Sequence, residues 1–154
     1  MKFSKTALAA LLMVGSLSGA NAQSLAETAT KFDSRSSMYE VTVTNVTRGA
    51  FFTPVLVVSH RPDVSLFALG QPASAELAIL AEGGDTEPLA QVLRANSQVT
   101  GVANSEGLLE PGQSVTVQVP AQGTDRISLA AMILPTNDGF VALNGVAVPR
   151  GGSQ

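Results

Sequence analysis

His60 is the one histidine of the chain. An imidazole near neutrality can serve as a general base or hold a metal ion. Either role needs partners at a suitable spacing. The sequence has no second histidine and no cysteine. It also contains neither a nucleophile elbow nor the paired-histidine motif of helical zinc hydrolases. Sites built on cysteine, whether zinc or iron–sulfur, are therefore excluded. His60 closes the run Phe51-Phe-Thr-Pro-Val-Leu-Val-Val-Ser-His60, so the expected role is structural, hydrogen-bonded at a strand end. A secreted hydrolase pairing His60 with a carboxylate or serine is the competing reading. Glu82, Asp85 and Glu87 offer oxygens to a calcium ion, but their spacing matches no EF-hand loop. Carboxylates at helix ends are favoured by the helix dipole alone. Asn45-Val-Thr47 fits a glycosylation acceptor and is read as a strand end. The densest turn chemistry lies in Met132-Ile-Leu-Pro-Thr-Asn-Asp-Gly-Phe-Val-Ala-Leu-Asn144. There Asn137, Asp138 and Gly139 are expected to shape a tight corner through side-chain-to-backbone bonds and left-handed backbone.

The elements that must position these residues follow from hydrophobic periodicity. Tyr39, Val41 and Val43 alternate with Glu40, Thr42 and Thr44, the pattern of a strand with one wet face. Val55–Val58 is continuously apolar, as expected of a strand covered on both faces. Pro54 suits a strand start, where its missing N–H is harmless. Leu66–Leu69 is another short apolar segment. The period then changes. Ser74–Glu82 carries Leu77, Leu80 and Ala81 on one helical face, with Ser74 as N-cap and Gly83 as terminator. Thr86–Asn96 repeats the pattern, with Thr86 as N-cap, Pro88 in the first turn and Leu89, Val92 and Leu93 as the apolar stripe. Strands return at Gln98–Ala103 and at Ser114–Val119, where Val115, Val117 and Val119 face inward. Ile127–Leu134, Phe140–Leu143 and a short segment at Val146 and Val148 complete the set. Gly, Pro, Asn and Asp turns separate them, which points to an antiparallel β-sandwich with two short helices over part of the sheet. Phe140 is expected in the core, where truncation to alanine costs ~3–5 kcal/mol.

The N-terminus reads as an export signal. Lys2 and Lys5 precede the apolar segment Ala7–Val14, and Ala20-Asn-Ala22 places small residues before Gln23, the three-part plan of a signal peptide. The apolar segment is far shorter than the ~20 residues of a spanning helix. Residues 1–22 are thus the expected signal peptide, 23–38 a flexible arm, 39–149 one domain and 150–154 a frayed tail. Of 9 basic and 12 acidic residues, cleavage removes Lys2 and Lys5, leaving 7 − 12 = −5. The remaining cations are scattered, so no nucleic-acid surface is indicated. No second segment has spanning length, and the expected location is the periplasm or the cell exterior.

The pieces Tyr39-Glu-Val-Thr-Val-Thr-Asn-Val-Thr-Arg-Gly49, Phe52-Thr-Pro-Val-Leu-Val-Val-Ser-His60, Ala73-Ser-Ala-Glu-Leu-Ala-Ile-Leu-Ala-Glu-Gly83, Pro111-Gly112 and Leu134-Pro-Thr-Asn-Asp-Gly-Phe-Val-Ala-Leu-Asn144 together resemble the spondin N-terminal domain in its bacterial single-domain form. The resemblance covers roughly Tyr39–Pro149. It implies a secreted antiparallel β-sandwich of C2-like appearance with short helices. Animal members are extracellular-matrix and adhesion proteins, and a calcium site is associated with the domain. The resemblance therefore implies a non-catalytic interaction or adhesion module with a protein or surface partner, with calcium-dependent surface or glycan binding as an alternative. The segment that supplies acidic ligands in animal members corresponds here to Asn144-Gly-Val-Ala-Val-Pro149, which has no carboxylate. Asp138 is the one acid in the matching motif, and Glu110 and Asp125 are expected in loops near it. These three are the candidate metal ligands, and no cofactor is expected.

Overall fold

The structure, a computed structural model, describes the backbone of Lys2–Thr6 and the whole of residues 36–149. The expected cleavage site, most of the expected arm and the expected tail lie outside the described residues. The fold is mainly β, with antiparallel sheets and two short helices. One sheet runs in the order β1 (Lys2–Thr6), β2 (Ser37–Thr44), β6 (Ser114–Ala121). In the other, β3 (Phe51–Phe52) and β4 (Leu56–His60) lie in line along one edge of β7 (Arg126–Leu134). Beyond β4 is β5 (Val99–Asn104), and β8 (Phe140–Ala147) takes the other edge of β7.

The alternation of β2 is realised as expected. Tyr39 and Val41 are buried between the sheets. On the wet face, Thr42 Oγ1 meets Thr116 Oγ1 at 2.9 Å and Thr44 Oγ1 meets Ser114 Oγ at 2.7 Å. The strand starts at Ser37, so the last two residues assigned to a flexible arm, Ser37 and Met38, are strand. They pair with Ala121 and Pro120 across the sheet. On its other edge β2 pairs with β1, from Lys2 opposite Thr42 to Thr6 opposite Met38.

The continuous run at Val55–Val58 divides between two cores. Val55 and Val57 pack against Tyr39, Val41, Val117 and Ile127 between the sheets. Leu56 and Val58 point the other way, into a second cluster with Leu77, Leu80, Leu89 and Leu93. Those leucines belong to α1 (Ala75–Gly83) and α2 (Glu87–Ala95). Helices this short are unstable alone. Burying each leucine supplies about 1.5–3 kcal/mol, which docks them on the outer face of the larger sheet.

The helix ends differ in detail from expectation. Ser74 caps α1 as expected, its Oγ accepting from the Leu77 N–H at 3.2 Å. The left-handed terminator is Gly84 (φ 69°) and not Gly83, because the helix continues one residue further. Thr86 makes no side-chain cap. It is buried, and Asp85 Oδ1 accepts from the Glu87 N–H at 2.9 Å instead. Val92 is 54% exposed, and Ala90 joins Leu89 and Leu93 on the buried face. Two adjacent residues and one a turn later meet the sheet, so position 92 turns to solvent.

The corner after β7 is also built differently. The Thr136 hydroxyl donates to Ile133 O and accepts from the Gly139 N–H at 3.0 Å. Ile133 N donates to Gly139 O at 2.8 Å. Gly139 is not left-handed. It is small because a Cβ there would stand 2.6 Å from Thr136 Oγ1. Asn137 and Asp138 are exposed and hold nothing among the described residues.

Phe140–Leu143 and Val146 belong to one strand, β8, interrupted by a bulge. Leu129 faces Leu143 and Ile127 faces Val146, so Asn144 and Gly145 together oppose Ser128. Gly145 has φ 77°, the backbone such a bulge needs. Phe140 is only partly buried, contrary to expectation. The reason is that β8 is an edge strand, so one flank of the ring stays open. The ring sits edge-on to Phe67, 5.7 Å between centroids at 86°. Phe140→Ala is accordingly expected to cost about 2 kcal/mol, less than a fully buried ring. Denaturant midpoints measure this, and a loss above about 4 kcal/mol would restore the core assignment.

Candidate functional site

The period-two pattern that sends Leu56 and Val58 to the helix-covered face sends His60 there as well. His60 pairs with Arg126 across β4 and β7, and Val58 pairs with Ser128. His60 and Ser128 are therefore diagonal neighbours on one face. Both have 0% exposure. His60 Nδ1 lies 2.7 Å from the Arg61 carbonyl, which can only accept, so Nδ1 carries the proton. Nε2 is then the acceptor for the Ser128 hydroxyl at 2.7 Å. Ser128 Oγ in turn accepts from the Gly145 N–H at 2.8 Å. Asn144 completes the cluster. Its Nδ2 donates to Phe67 O at 2.8 Å, and its Oδ1 accepts from the Leu66 N–H at 3.2 Å.

A serine hydroxyl bonded to a histidine ring nitrogen is the pairing that activates a nucleophile. Here the serine has no free approach. Its hydroxyl proton goes to His60, its lone pair takes the bulge N–H, and the segment containing Leu66 and Phe67 is tied across Asn144. A carbonyl carbon reaching Ser128 would have to enter a site with 0% exposure. The cluster instead joins β4, β7, the bulge in β8 and the loop after β4. Sequence reasoning anticipated a hydrogen-bonded structural His60 and missed Ser128 and Asn144. The one local signal was a lone hydroxyl inside the apolar run Ile127–Leu134.

The candidate metal ligands are divided between the ends of the sandwich. Asp125 precedes β7 and Asp138 follows it, with about 27 Å of strand between them. Glu110 shares the Asp138 end, because Leu109 bridges to Phe52 and Phe51 pairs with Leu134. Glu110 and Asp138 are exposed, whereas Asp125 is buried. Asp125 Oδ2 accepts from Thr100 Oγ1 at 2.6 Å and from the Gln122 N–H at 2.8 Å. Its Oδ1 is buried without a hydrogen-bond partner. That is one available oxygen against the six to eight a calcium ion takes. Among the described residues no three His, Cys, Asp or Glu side chains gather as metal ligands. In the helical region Asp85 caps α2, and Glu87 accepts from Arg94 at 2.9 Å.

Asn45, the acceptor of the glycosylation motif, has 0% exposure. Its Nδ2 donates to Ala50 O at 2.8 Å and to Leu109 O at 3.0 Å. Its Oδ1 accepts from Thr47 Oγ1 at 2.7 Å and from the Thr47 N–H at 3.1 Å. The amide that a glycan would need is thus fully occupied, and the motif is a loop clasp at the end of β2.

A family model described as Spondin_N matches residues 42–150. The chain belongs to the Spondin_N family. The match begins within β2 and takes in every later strand and both helices of the domain. No match to a curated protein was found. Spondin_N is an extracellular-type family and is not known as a family of enzymes. Among the described residues of this Spondin_N domain, no helix is long and apolar enough to cross a membrane.

Proposed function

We propose that this Spondin_N chain is an exported, non-catalytic interaction module that acts by surface contact with a protein or surface partner, in the periplasm or at the cell exterior. The observation that carries the non-catalytic reading is the internal use of the one histidine. His60 and Ser128 have 0% exposure, and each bonded atom of the pair serves to hold strands and a loop together. Export is supported by the positive, apolar and small-residue segments that end at Ala22. The deciding experiment has two arms. Intact-mass analysis of secreted material is expected to give a chain starting at Gln23. A pull-down from exported proteins of the source organism with that material is expected to enrich a binding partner. A chain retaining Ala7–Val14 would overturn export. Hydrolysis by the purified protein that disappears in Ser128→Ala, with the fold intact, would overturn the non-catalytic reading.

Binding without a cofactor belongs to the same proposal, since Asp138 and Glu110 lie at one end and Asp125 at the other. Melting temperatures with calcium and with chelator are expected to coincide, because only a ligand favouring the folded state raises them. A calcium-dependent rise in the unaltered protein, lost in Asp138→Asn, would replace this proposal with calcium-dependent surface or glycan binding.

A further inference from the structure

We propose that the edge of β2 now paired with Lys2–Thr6 is a strand-addition site, and that in the exported chain it is taken by β2 of a second copy. The proposal rests on the export reading above. In the full chain that edge is covered by the antiparallel register from Lys2 opposite Thr42 to Thr6 opposite Met38. Cleavage after Ala22 removes the covering strand whole and leaves the backbone N–H and C=O groups along this edge to find another partner.

The usual protections of an open edge are missing from β2. The strand Ser37–Thr44 has no proline, no lysine and a single charge, Glu40. Its register with β6 is unbroken from Ser37 opposite Ala121 to Thr44 opposite Ser114, so no bulge turns the edge aside. A strand that is β-branched, alternating and regular is a template for another of the same kind.

A second copy suits this edge because β2 is complementary to itself in one antiparallel register. Opposed residues must share a face, so Tyr39, Val41 and Val43 must meet one another and Glu40, Thr42 and Thr44 must do the same. Two registers satisfy this with nearly full overlap. One sets Glu40 against Glu40 of the other copy and is disfavoured. The other centres a two-fold axis at Val41, places Tyr39 opposite Val43, and places Glu40 opposite Thr42. It joins the sheets of two copies through a symmetric, isologous contact. Residues 40 and 42 are on the wet face, where Glu40 meets Gln118 and Thr42 meets Thr116. Substitutions there change the contact without disturbing the core.

The test uses the secreted protein, its start set by intact mass, in sedimentation across concentration. A chain beginning at Gln23 is expected to form a dimer. Thr42→Glu sets like charges opposite Glu40 twice and is expected to weaken the dimer by about tenfold. The double variant E40K/T42E sets lysine opposite glutamate and is expected to recover the dimer. Thermal melts of the monomer confirm that each variant folds. A chain that retains residues 1–22 overturns both the export reading and this proposal. A chain correctly cleaved yet monomeric at all concentrations overturns the proposal alone, as does a dimer indifferent to Thr42→Glu.

Discussion

His60→Ala is expected to lower the stability of the folded domain by about 3–4 kcal/mol, while leaving any partner binding of the folded protein intact. Two losses combine. Removing a fully buried imidazole leaves a cavity beside Val58 and Ser128, which by analogy with large-to-small core changes costs a few kcal/mol. It also strips the Arg61 carbonyl of its Nδ1–H donor and the Ser128 hydroxyl of its Nε2 acceptor, both in a site with 0% exposure. Leaving a buried polar group unmade costs about 1–3 kcal/mol. The serine can recover part of this by turning its proton toward Asn144 Oδ1, 3.4 Å away. Ser128→Ala is therefore the milder change, about 1–2 kcal/mol. Its lost acceptor frees the Gly145 N–H of the bulge. Denaturant midpoints of the two variants and of the pair give the coupling directly. Additive losses would mean that the two side chains do not act through one another.

Asn45→Ala is expected to cost about 3 kcal/mol. The side chain closes the 45–50 loop onto itself through Ala50 and Thr47, and pins it to Leu109. The backbone of the same residue bonds to Gln113 O at 2.9 Å and receives the Gly112 N–H at 2.7 Å. Loss of the amide thus loosens two loops together. Asn45→Asp separates the contributions. It keeps the acceptor for Thr47 and sets a carboxylate oxygen against the Ala50 and Leu109 carbonyls, so it is expected to cost about as much as alanine. Equilibrium denaturation decides the matter. A cost below about 1 kcal/mol for both variants would show that Asn45 ends the strand without clasping the loops.

Much of the architecture was legible because it depends on neighbours close in the chain. Side-chain alternation marked β2 and β6, since the pleat repeats every two residues. The unbroken run Val55–Val58 implied cover on both faces, and the two core clusters show the two covers to be the smaller sheet and the helices. Ser74 announced its helix because an N-cap is a local bond. The five pieces that resemble the spondin N-terminal domain lie in or overlap residues 42–150, which the Spondin_N model matches.

What only the tertiary structure decided concerns groups far apart in sequence or balanced between two local roles. Asn45-Val-Thr47 was legible as a strand end, and β2 does end at Thr44, but only burial under Leu109, 64 residues away, makes the residue a clasp as well. Val92 fits a helical stripe as well as Ala90 does, and the burial of Leu89, Ala90 and Leu93 turns it to solvent. Gly139 and Asp138 carry turn propensity, yet the corner is latched by Thr136, whose hydroxyl finds both ends of the turn at once. His60 announced a hydrogen bond and not its partner, because Ser128 is brought to it by strand pairing across 68 residues. Asp138, in the matching motif, and Glu110 and Asp125, in loops expected near it, formed one candidate set until the length of β7 set Asp125 apart from Asp138. Local composition measures what a residue can do, and packing determines which neighbour it meets.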